Sequence, residues 1–266
     1  MSNKATTVAA TAPKLDVDKT RERLSQLNLV HAAEVLPDQL SAAVKKPAAP
    51  HQFLDELLDI ELTAREERRV RTSLRLSGLP TGQTLANFDF AFQPSIERSR
   101  IETLATCAWI RANESLLIQG PPGVGKSHLA VALGVKAVEH GFGVTFQRLE
   151  ELMMALRGDA HLPPARLRRR KYLNSGLLII DELGFEPMSR EDASLFFRLV
   201  SYRYGRGAIL ITTNKGIKDW TELLAGDEIL ATAILDRLLH HSHVLNIKGR
   251  SYRLRDLEQA VNLASR

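Results

Sequence analysis

The chain has 266 residues with 44% hydrophobic and 25% charged content and a formal net charge of +5, values ordinary for one large globular domain or a domain with a small module. Its single cysteine, Cys107, excludes an intramolecular disulfide framework and a multi-cysteine zinc cluster. Because no apolar run approaches the length of a membrane span or of a secretion signal, we expect a cytoplasmic protein without a membrane partner.

The first part of the chain is predicted to be helical. Residues 1–17 are rich in alanine and threonine, and we interpret them as a disordered tail. Short helices are predicted between residues 18 and 44, and a longer helix from about Phe53 to Leu76, because leucines recur at three- and four-residue steps. The prolines between Lys45 and Pro50 interrupt the helical pattern. We expect residues 18–80 to form a small all-helical module that binds a partner.

Residues 81–266 are predicted to form an α/β domain. A helix around Ile96 to Ala112 carries Cys107 as a packed apolar residue, and five short apolar runs then alternate with helical stretches. These runs are Ser115–Gln119, Gly143–Gln147, Leu177–Asp181, Ala208–Thr212 and Val244–Ile247. Such alternation predicts a five-stranded parallel sheet with helices on both faces. Ligands of these sheets bind beyond the carboxyl ends of the strands.

The segment that follows the first run matches the phosphate-binding loop pattern G-x-x-x-x-G-K-[ST] at every fixed position. It lies between an apolar strand and a helical stretch, as this motif requires, and the alternative is an ordinary turn before a helix. Lys126 is predicted to contact the β- and γ-phosphates, and Ser127 to ligate Mg²⁺. The predicted nucleotide-binding residues are Gly120, Pro121, Pro122, Gly123, Val124, Gly125, Lys126, Ser127 and His128.

Polar residues end two further predicted strands. Asp181 and Glu182 follow a buried run, where Asp181 can hold Mg²⁺ and Glu182 can polarise the water that attacks the γ-phosphate. The alternative is that both acids cap the next segment. Asn214 follows the next strand, where it either positions that water or is a simple turn residue.

Basic residues further along the chain permit two interpretations each. Arg237 either stabilises the charge of phosphoryl transfer or belongs to a surface pair with Asp236. A basic block either is a solvated face or contacts nucleic acid. It comprises Arg166, Arg168, Arg169, Arg170 and Lys171. The histidines at positions 240, 241 and 243 lack partners at metal-ligand spacing, so we interpret them as residues between a helix and a strand.

Five motifs, taken together and in this order, resemble one known family. They are the phosphate loop, Asp181-Glu182, Thr213-Asn214, Asp236-Arg237-Leu238 and the closing Gly249-Arg250-Ser251-Tyr252-Arg253. The family is that of the IstB-type transposition helper ATPases, relatives of DnaC-type helicase loaders within the AAA+ class. The resemblance implies that Asn214 is sensor 1 and that Arg237 is a finger supplied to the ATP of a neighbouring subunit. Arg253 is implied to be a sensor 2 candidate. Because 266 − 253 = 13 residues follow it, we expect a reduced C-terminal lid, so that Arg253 either approaches the nucleotide differently or contacts DNA.

The same resemblance implies a bacterial protein that binds ATP with Mg²⁺ and assembles as a homo-oligomer on duplex DNA. It also implies a partner transposase and favours contact between the basic block and DNA phosphates, since relatives carry a DNA-facing insertion after the second strand. Two alternatives stay open. One is a replicative helicase loader of the DnaC type, and the other is a small-molecule P-loop kinase, which would act as a monomer and ignore DNA.

Overall fold

A computed structural model describes residues 16–45 and 49–255 of the chain. These residues divide into two compact units, with the boundary between Arg69 and Val70. This boundary precedes the border expected near residue 80, because Val70 and Leu74 already pack against the core of the larger unit. The predicted tail lies outside the described residues up to position 15, and Val17 begins the first helix.

The smaller unit is helical. It contains α1 (Val17–Gln26), α2 (Val30–Lys45) and the first part of α3 (Pro50–Ser77). Glu61 of α3 is 3% exposed, and its carboxylate accepts hydrogen bonds from the backbone N–H of Ala32 at 3.0 Å and from Arg65 Nε at 2.8 Å. Because a buried carboxylate must be paired, these contacts fix α3 against the start of α2.

The larger unit is built on a five-stranded parallel sheet with the order β2-β3-β4-β1-β5. The strands are β1 (Ser115–Gln119), β2 (Val144–Arg148), β3 (Leu177–Leu183), β4 (Ala208–Thr213) and β5 (Ser242–Asn246). All five predicted runs are therefore strands, and the predicted parallel arrangement is confirmed. The order places β1 and β3 on either side of β4, so the residues that follow β1 and β3 lie at the same edge.

Helices cover both faces of this sheet, as predicted. They are α4 (Arg98–Ala105), α5 (Ala108–Arg111), α6 (Lys126–Glu139), α7 (Leu149–Asp159), α8 (Pro164–Leu167), α9 (Lys171–Asn174), α10 (Arg190–Arg203), α11 (Trp220–Leu223) and α12 (Glu228–Leu239). Alternate residues of one strand enter opposite cores, because successive side chains of a strand point to opposite faces. Leu116 and Ile118 of β1 pack on the side of α4 and α6, and Leu117 packs on the side of α7 and α10.

The single helix predicted from Ile96 to Ala112 is wrong. Two short helices, α4 and α5, meet at Cys107, which has a left-handed backbone with φ of 60°. The turn is held by Trp109, whose buried indole Nε1 donates to the carbonyl of Leu104 at 3.0 Å. Cys107 itself is 1% exposed, so it is packed as expected but not helical. Among residues 16–45 and 49–255, no helix is both long enough and apolar enough to cross a bilayer.

Candidate functional site

The phosphate-binding loop joins β1 to α6, and its shape depends on glycine. Gly123 and Gly125 have φ of 79° and 97°, in the left-handed region that favours glycine. A Cβ on Gly123 would lie 2.1 Å from Ser251 Oγ, and one on Gly125 would lie 2.8 Å from Phe88 Cε2. The loop therefore requires glycine at these positions for two reasons: the backbone has positive φ, and the segments that contain Ser251 and Phe88 leave no room for a side chain.

Lys126 is the first residue of α6, and its side chain turns back into the loop. Its Nζ donates to the carbonyls of Gly120 and Pro121, at 2.8 Å each. Burial holds the pKa of this ammonium below its ordinary value, while the nearby charge of Asp181 acts in the opposite direction. A phosphate is a stronger acceptor than a carbonyl, so this lysine is placed to exchange its present partners for phosphate oxygens.

Ser127 and Asp181 meet between the loop and the end of β3. Ser127 Oγ donates to Asp181 Oδ1 at 2.8 Å, and the hydroxyl of buried Thr212 donates to the same carboxylate oxygen. Asp181 is 4% exposed, so its charge must be compensated where it lies. A hydroxyl and a carboxylate are the oxygen ligands that Mg²⁺ prefers in proteins, and this pair fits such an ion.

Glu182 leaves the regular strand. The pairing of β3 with β4 shifts register between Ile180 and Leu183, and Glu182 has φ of 64°. Its backbone N–H donates to Thr212 Oγ1 at 3.0 Å, while its carboxylate lies 3.8 Å from Arg148 Nε. A bulge of this kind re-aims a side chain, and here Glu182 lines the cavity above the loop.

That cavity has a volume of about 380 Å³. The predicted residues that line it are Pro122, Gly123, Gly125, Lys126, Ser127, His128, Glu182, Asn214 and Arg253. The Asn214 side-chain oxygen is buried and has no hydrogen-bond partner within the described residues. An unpaired buried acceptor is costly, which suits a group that gains its partner when a ligand or water arrives.

Other residues of the cavity were not among the predicted site residues, although Thr213 and Tyr252 belong to the five motifs of the sequence analysis. Gln83, Asn87, Phe88, Asp89, Phe185, Thr212, Thr213, Tyr252 and Arg255 also line it. Tyr252 joins three segments, because its N–H donates to the Gly123 carbonyl at 2.9 Å and its hydroxyl to the Asp89 carbonyl at 2.6 Å. Burial raises the pKa of this tyrosine to about 12. The signals for this wall were aromatic: Phe88, which is followed by Phe90 and Phe92, and Tyr252, which lies in a basic segment.

Arg237 lies at the other end of the sheet. It lines a cavity of about 170 Å³ together with Ser115 and Ile209, near the starts of β1 and β4, whereas the phosphate loop follows the end of β1. Its NH1 donates to the carbonyl of Ala233 at 2.7 Å, and its guanidinium lies 4.9 Å from the centre of the Phe197 ring. The structure therefore does not bring Arg237 to the phosphate loop of its own chain.

The basic block is exposed around the short helices α8 and α9, and none of its residues lines the cavity above the phosphate-binding loop. Arg170 is paired with Asp159, and Lys171 Nζ donates to the carbonyl of Leu76 at 3.1 Å. Within residues 16–45 and 49–255, no ion pair is found for Arg166, Arg168 or Arg169. Lys171 has no ion pair there either, so Arg166, Arg168, Arg169 and Lys171 are the members of the block whose charge is not paired with an acid among the described residues.

The histidines at positions 240, 241 and 243 lie where α12 ends and β5 begins. His243 Nε2 is 2.9 Å from Glu114 Oε2, and His240 Nδ1 is hydrogen-bonded to the hydroxyl of Tyr204. The described part of the chain contains no group of three or more histidine, cysteine or acidic residues placed to hold a metal ion.

Comparison with known proteins relates the whole arrangement to one family. The family described as IstB-like ATP binding protein matches residues 22–260. The ATP-binding protein of insertion sequence IS21 from Pseudomonas aeruginosa is 44% identical over 237 residues, which cover 89% of each chain. The ATP-binding protein of insertion sequence IS5376 from Geobacillus stearothermophilus is 39% identical over 205 residues, covering 77% of this chain and 81% of that protein.

A solved structure shows the same fold at lower similarity. The crystal structure of the DnaC helicase loader matches with a TM-score of 0.51 and 23% identity, over 66% of this chain and 98% of that one. At this identity the match supports the fold alone.

Proposed function

Since this chain belongs to the IstB-like ATP-binding proteins of insertion sequences, we propose that it hydrolyses ATP as a transposition helper, assembling on duplex DNA to direct a partner transposase. The observation that carries hydrolysis is the 2.8 Å contact between Ser127 and Asp181, beside the re-aimed Glu182. A simple nucleotide-binding fold needs the loop, whereas an acid placed next to a metal-binding pair serves the attack of water.

Each residue at the carboxyl edge of the sheet has one task in this proposal. Lys126 binds the phosphates, and Glu182 accepts a proton from the attacking water. Asn214 orients that water through its side-chain oxygen, which has no hydrogen-bond partner among the described residues. Ser127 and Asp181 would hold Mg²⁺, which when bound neutralises charge on the phosphate oxygens. Arg253 lies on the cavity wall, where it can contact the nucleotide from the side of the C-terminal segment.

Lys126, Arg253 and Arg255 line the cavity, and phosphoryl transfer is helped further by positive charge that an additional arginine places beside the γ-phosphate. Arg237 cannot supply it to its own chain, since it lies near the starts of β1 and β4. An arginine at one end of the sheet and a nucleotide at the other suit a head-to-tail assembly, in which Arg237 of one copy completes the site of the next. Hydrolysis would then take place only between subunits.

This proposal assigns DNA binding to Arg166, Arg168 and Arg169. Two observations support the assignment: the three side chains are exposed, and none of them forms an ion pair with another described residue. Arg170 and Lys171 contribute charge while they also fix the block to the domain. Contacts of this type reach phosphates rather than base edges, so binding should be salt-sensitive and weak in sequence preference. The transposase partner is inferred from relatives that are named for insertion sequences.

The test is to image the protein with duplex DNA and a slowly hydrolysed ATP analogue. The proposal expects DNA-bound assemblies with nucleotide at each subunit interface and Arg237 of a neighbour beside it. Preference for single-stranded DNA together with co-purification of a hexameric helicase would instead indicate a helicase loader. A monomer that turns over ATP only with a small-molecule acceptor would indicate a kinase.

A further inference from the structure

Two groups of residues line the nucleotide cavity. Lys126, Glu182 and Asn214 are the residues assigned to the γ-phosphate, and Gln83 and His128 are further lining residues. His128 follows Ser127 on the first turn of α6, so its side chain points about 100° away from the metal-binding hydroxyl. On the proposed function, the base of the bound nucleotide therefore lies against this second wall.

The wall is held by a closed network within residues 82–87. Asn87 Oδ1 accepts from the N–H of Thr84 at 2.8 Å and from the Thr84 hydroxyl at 3.1 Å. The other end of this amide donates to the carbonyl of Gly82. Because both ends of the Asn87 side chain are engaged, its orientation is fixed and the segment is closed around Gln83.

His128 is fixed by the same network. Its Nε2 lies 2.9 Å from the Thr84 carbonyl and 3.1 Å from Asn87 Oδ1, and both of these atoms are acceptors. The proton of the neutral ring must therefore reside on Nε2, which leaves Nδ1 as an acceptor. The Phe88 ring packs edge-on against this imidazole, with centroids 5.3 Å apart.

Gln83 is the other residue of this wall. Its side-chain oxygen is buried, and no hydrogen bond to it is formed among the described residues. Adenine presents an amino group with two N–H donors where guanine presents the O6 acceptor. We propose that Gln83 Oε1 accepts a hydrogen bond from the adenine amino group, so that Gln83 selects ATP over GTP, with His128 Nδ1 as a second acceptor on the same wall.

The experiment compares three nucleotides on the full-length protein. Affinities for ATP, GTP and purine riboside triphosphate, which lacks the amino group, are measured by displacement of a fluorescent ATP analogue. The unaltered protein should prefer ATP to the purine analogue by about tenfold or more. The reason is that the analogue leaves the buried Gln83 Oε1 without a hydrogen-bond donor, which is costly. Gln83→Leu should bind ATP and the purine analogue equally, with the weaker affinity that the unaltered protein has for the analogue. The exposed Gln26→Leu on α1 should keep the preference for ATP.

A second variant separates base reading from loss of packing. Gln83→Glu offers only acceptors and cannot turn a donor toward the base, so it should keep the preference for ATP and bind GTP more weakly than the unaltered protein does. Equal affinity of the unaltered protein for ATP and the purine analogue, or full ATP preference in Gln83→Leu, would overturn the assignment while leaving triphosphate binding intact. Failure to bind any of the three triphosphates would overturn the proposed function itself.

Discussion

Ser127 Oγ donates a 2.8 Å hydrogen bond to Asp181 Oδ1, although the two residues are 54 positions apart in the chain. If this pair holds Mg²⁺, Asp181→Asn should keep the hydrogen bond and the fold but lose the charge that binds the ion. The gain in ATP affinity on adding Mg²⁺ should then fall by at least about tenfold, as for the loss of even an outer ligand. Calorimetric titration of ATP with and without Mg²⁺ measures this gain in affinity, and the exposed Asp38→Asn variant is the control. An unchanged gain contradicts the metal assignment.

The positive φ of Glu182 predicts a stability effect that can be separated from its chemistry. Glu182→Gln should bind ATP normally and lose turnover by about a hundredfold or more, since it removes a general base. Glu182→Gly should be more stable than Glu182→Ala by about 1 kcal/mol, because only glycine adopts φ of 64° without strain. Urea unfolding should give the reverse order at exposed Glu186, whose φ is negative. The same order at both sites would argue against strain.

The main features of the sheet and the phosphate loop were predictable because they depend on local pattern. Apolar runs bounded by turns gave all five strands, and the spacing of Gly120, Gly125, Lys126 and Ser127 gave the loop. Strand ends were less predictable. The fifth strand begins at Ser242 rather than Val244, because backbone pairing with Ser115 continues irrespective of side-chain polarity.

The second wall of the cavity was not predictable in the same way. Tyr252 and Asp89 are hydrogen-bonded across 163 positions, and no local pattern in either segment indicates the other. The bulge at Glu182 and the left-handed turn at Cys107 are also set by tertiary packing rather than by residue preference. Arg237 is the opposite case. Its motif was recognised in the sequence, but only the fold shows that it lies near the starts of β1 and β4 and not at the phosphate loop.

Arg237→Ala should leave ATP affinity close to that of the unaltered protein and abolish ATP-dependent assembly and turnover. The expected loss of turnover is about a thousandfold or more, which is the effect of an arginine finger in phosphoryl transfer. Mixing Arg237→Ala copies with Glu182→Gln copies should restore part of the activity, because some interfaces then pair an intact Arg237 with an intact Glu182. Exposed Arg98→Ala is the matched control. No recovery on mixing, together with normal assembly of Arg237→Ala, would rule out a shared site.

Changing Arg166, Arg168 and Arg169 together to Glu should weaken duplex DNA binding without changing ATP affinity. The slope of log affinity against log salt should decrease by about three, since each lost phosphate contact removes close to one released counterion. Fluorescence anisotropy at several salt concentrations gives this slope. A control with the same charge change, at exposed Lys19, Arg98 and Lys218, should alter it less. Equal slopes in the two variants would place the DNA interface elsewhere.

The thiol of Cys107 should report unfolding through its reactivity. Burial raises the pKa of Cys107 to about 11, whereas an unfolded cysteine has a pKa of about 8.5. The protonated thiol therefore stabilises the fold fully below about pH 8.5, and this contribution is lost as the pH rises through the folded value of about 11. At pH 8 alkylation by iodoacetamide should be roughly a hundredfold slower in the native protein than in urea. In a Cys107→Ala background, Ser99→Cys on the exposed side of α4 should react at similar rates in both states, and similar rates for Cys107 itself would show that its thiol is accessible.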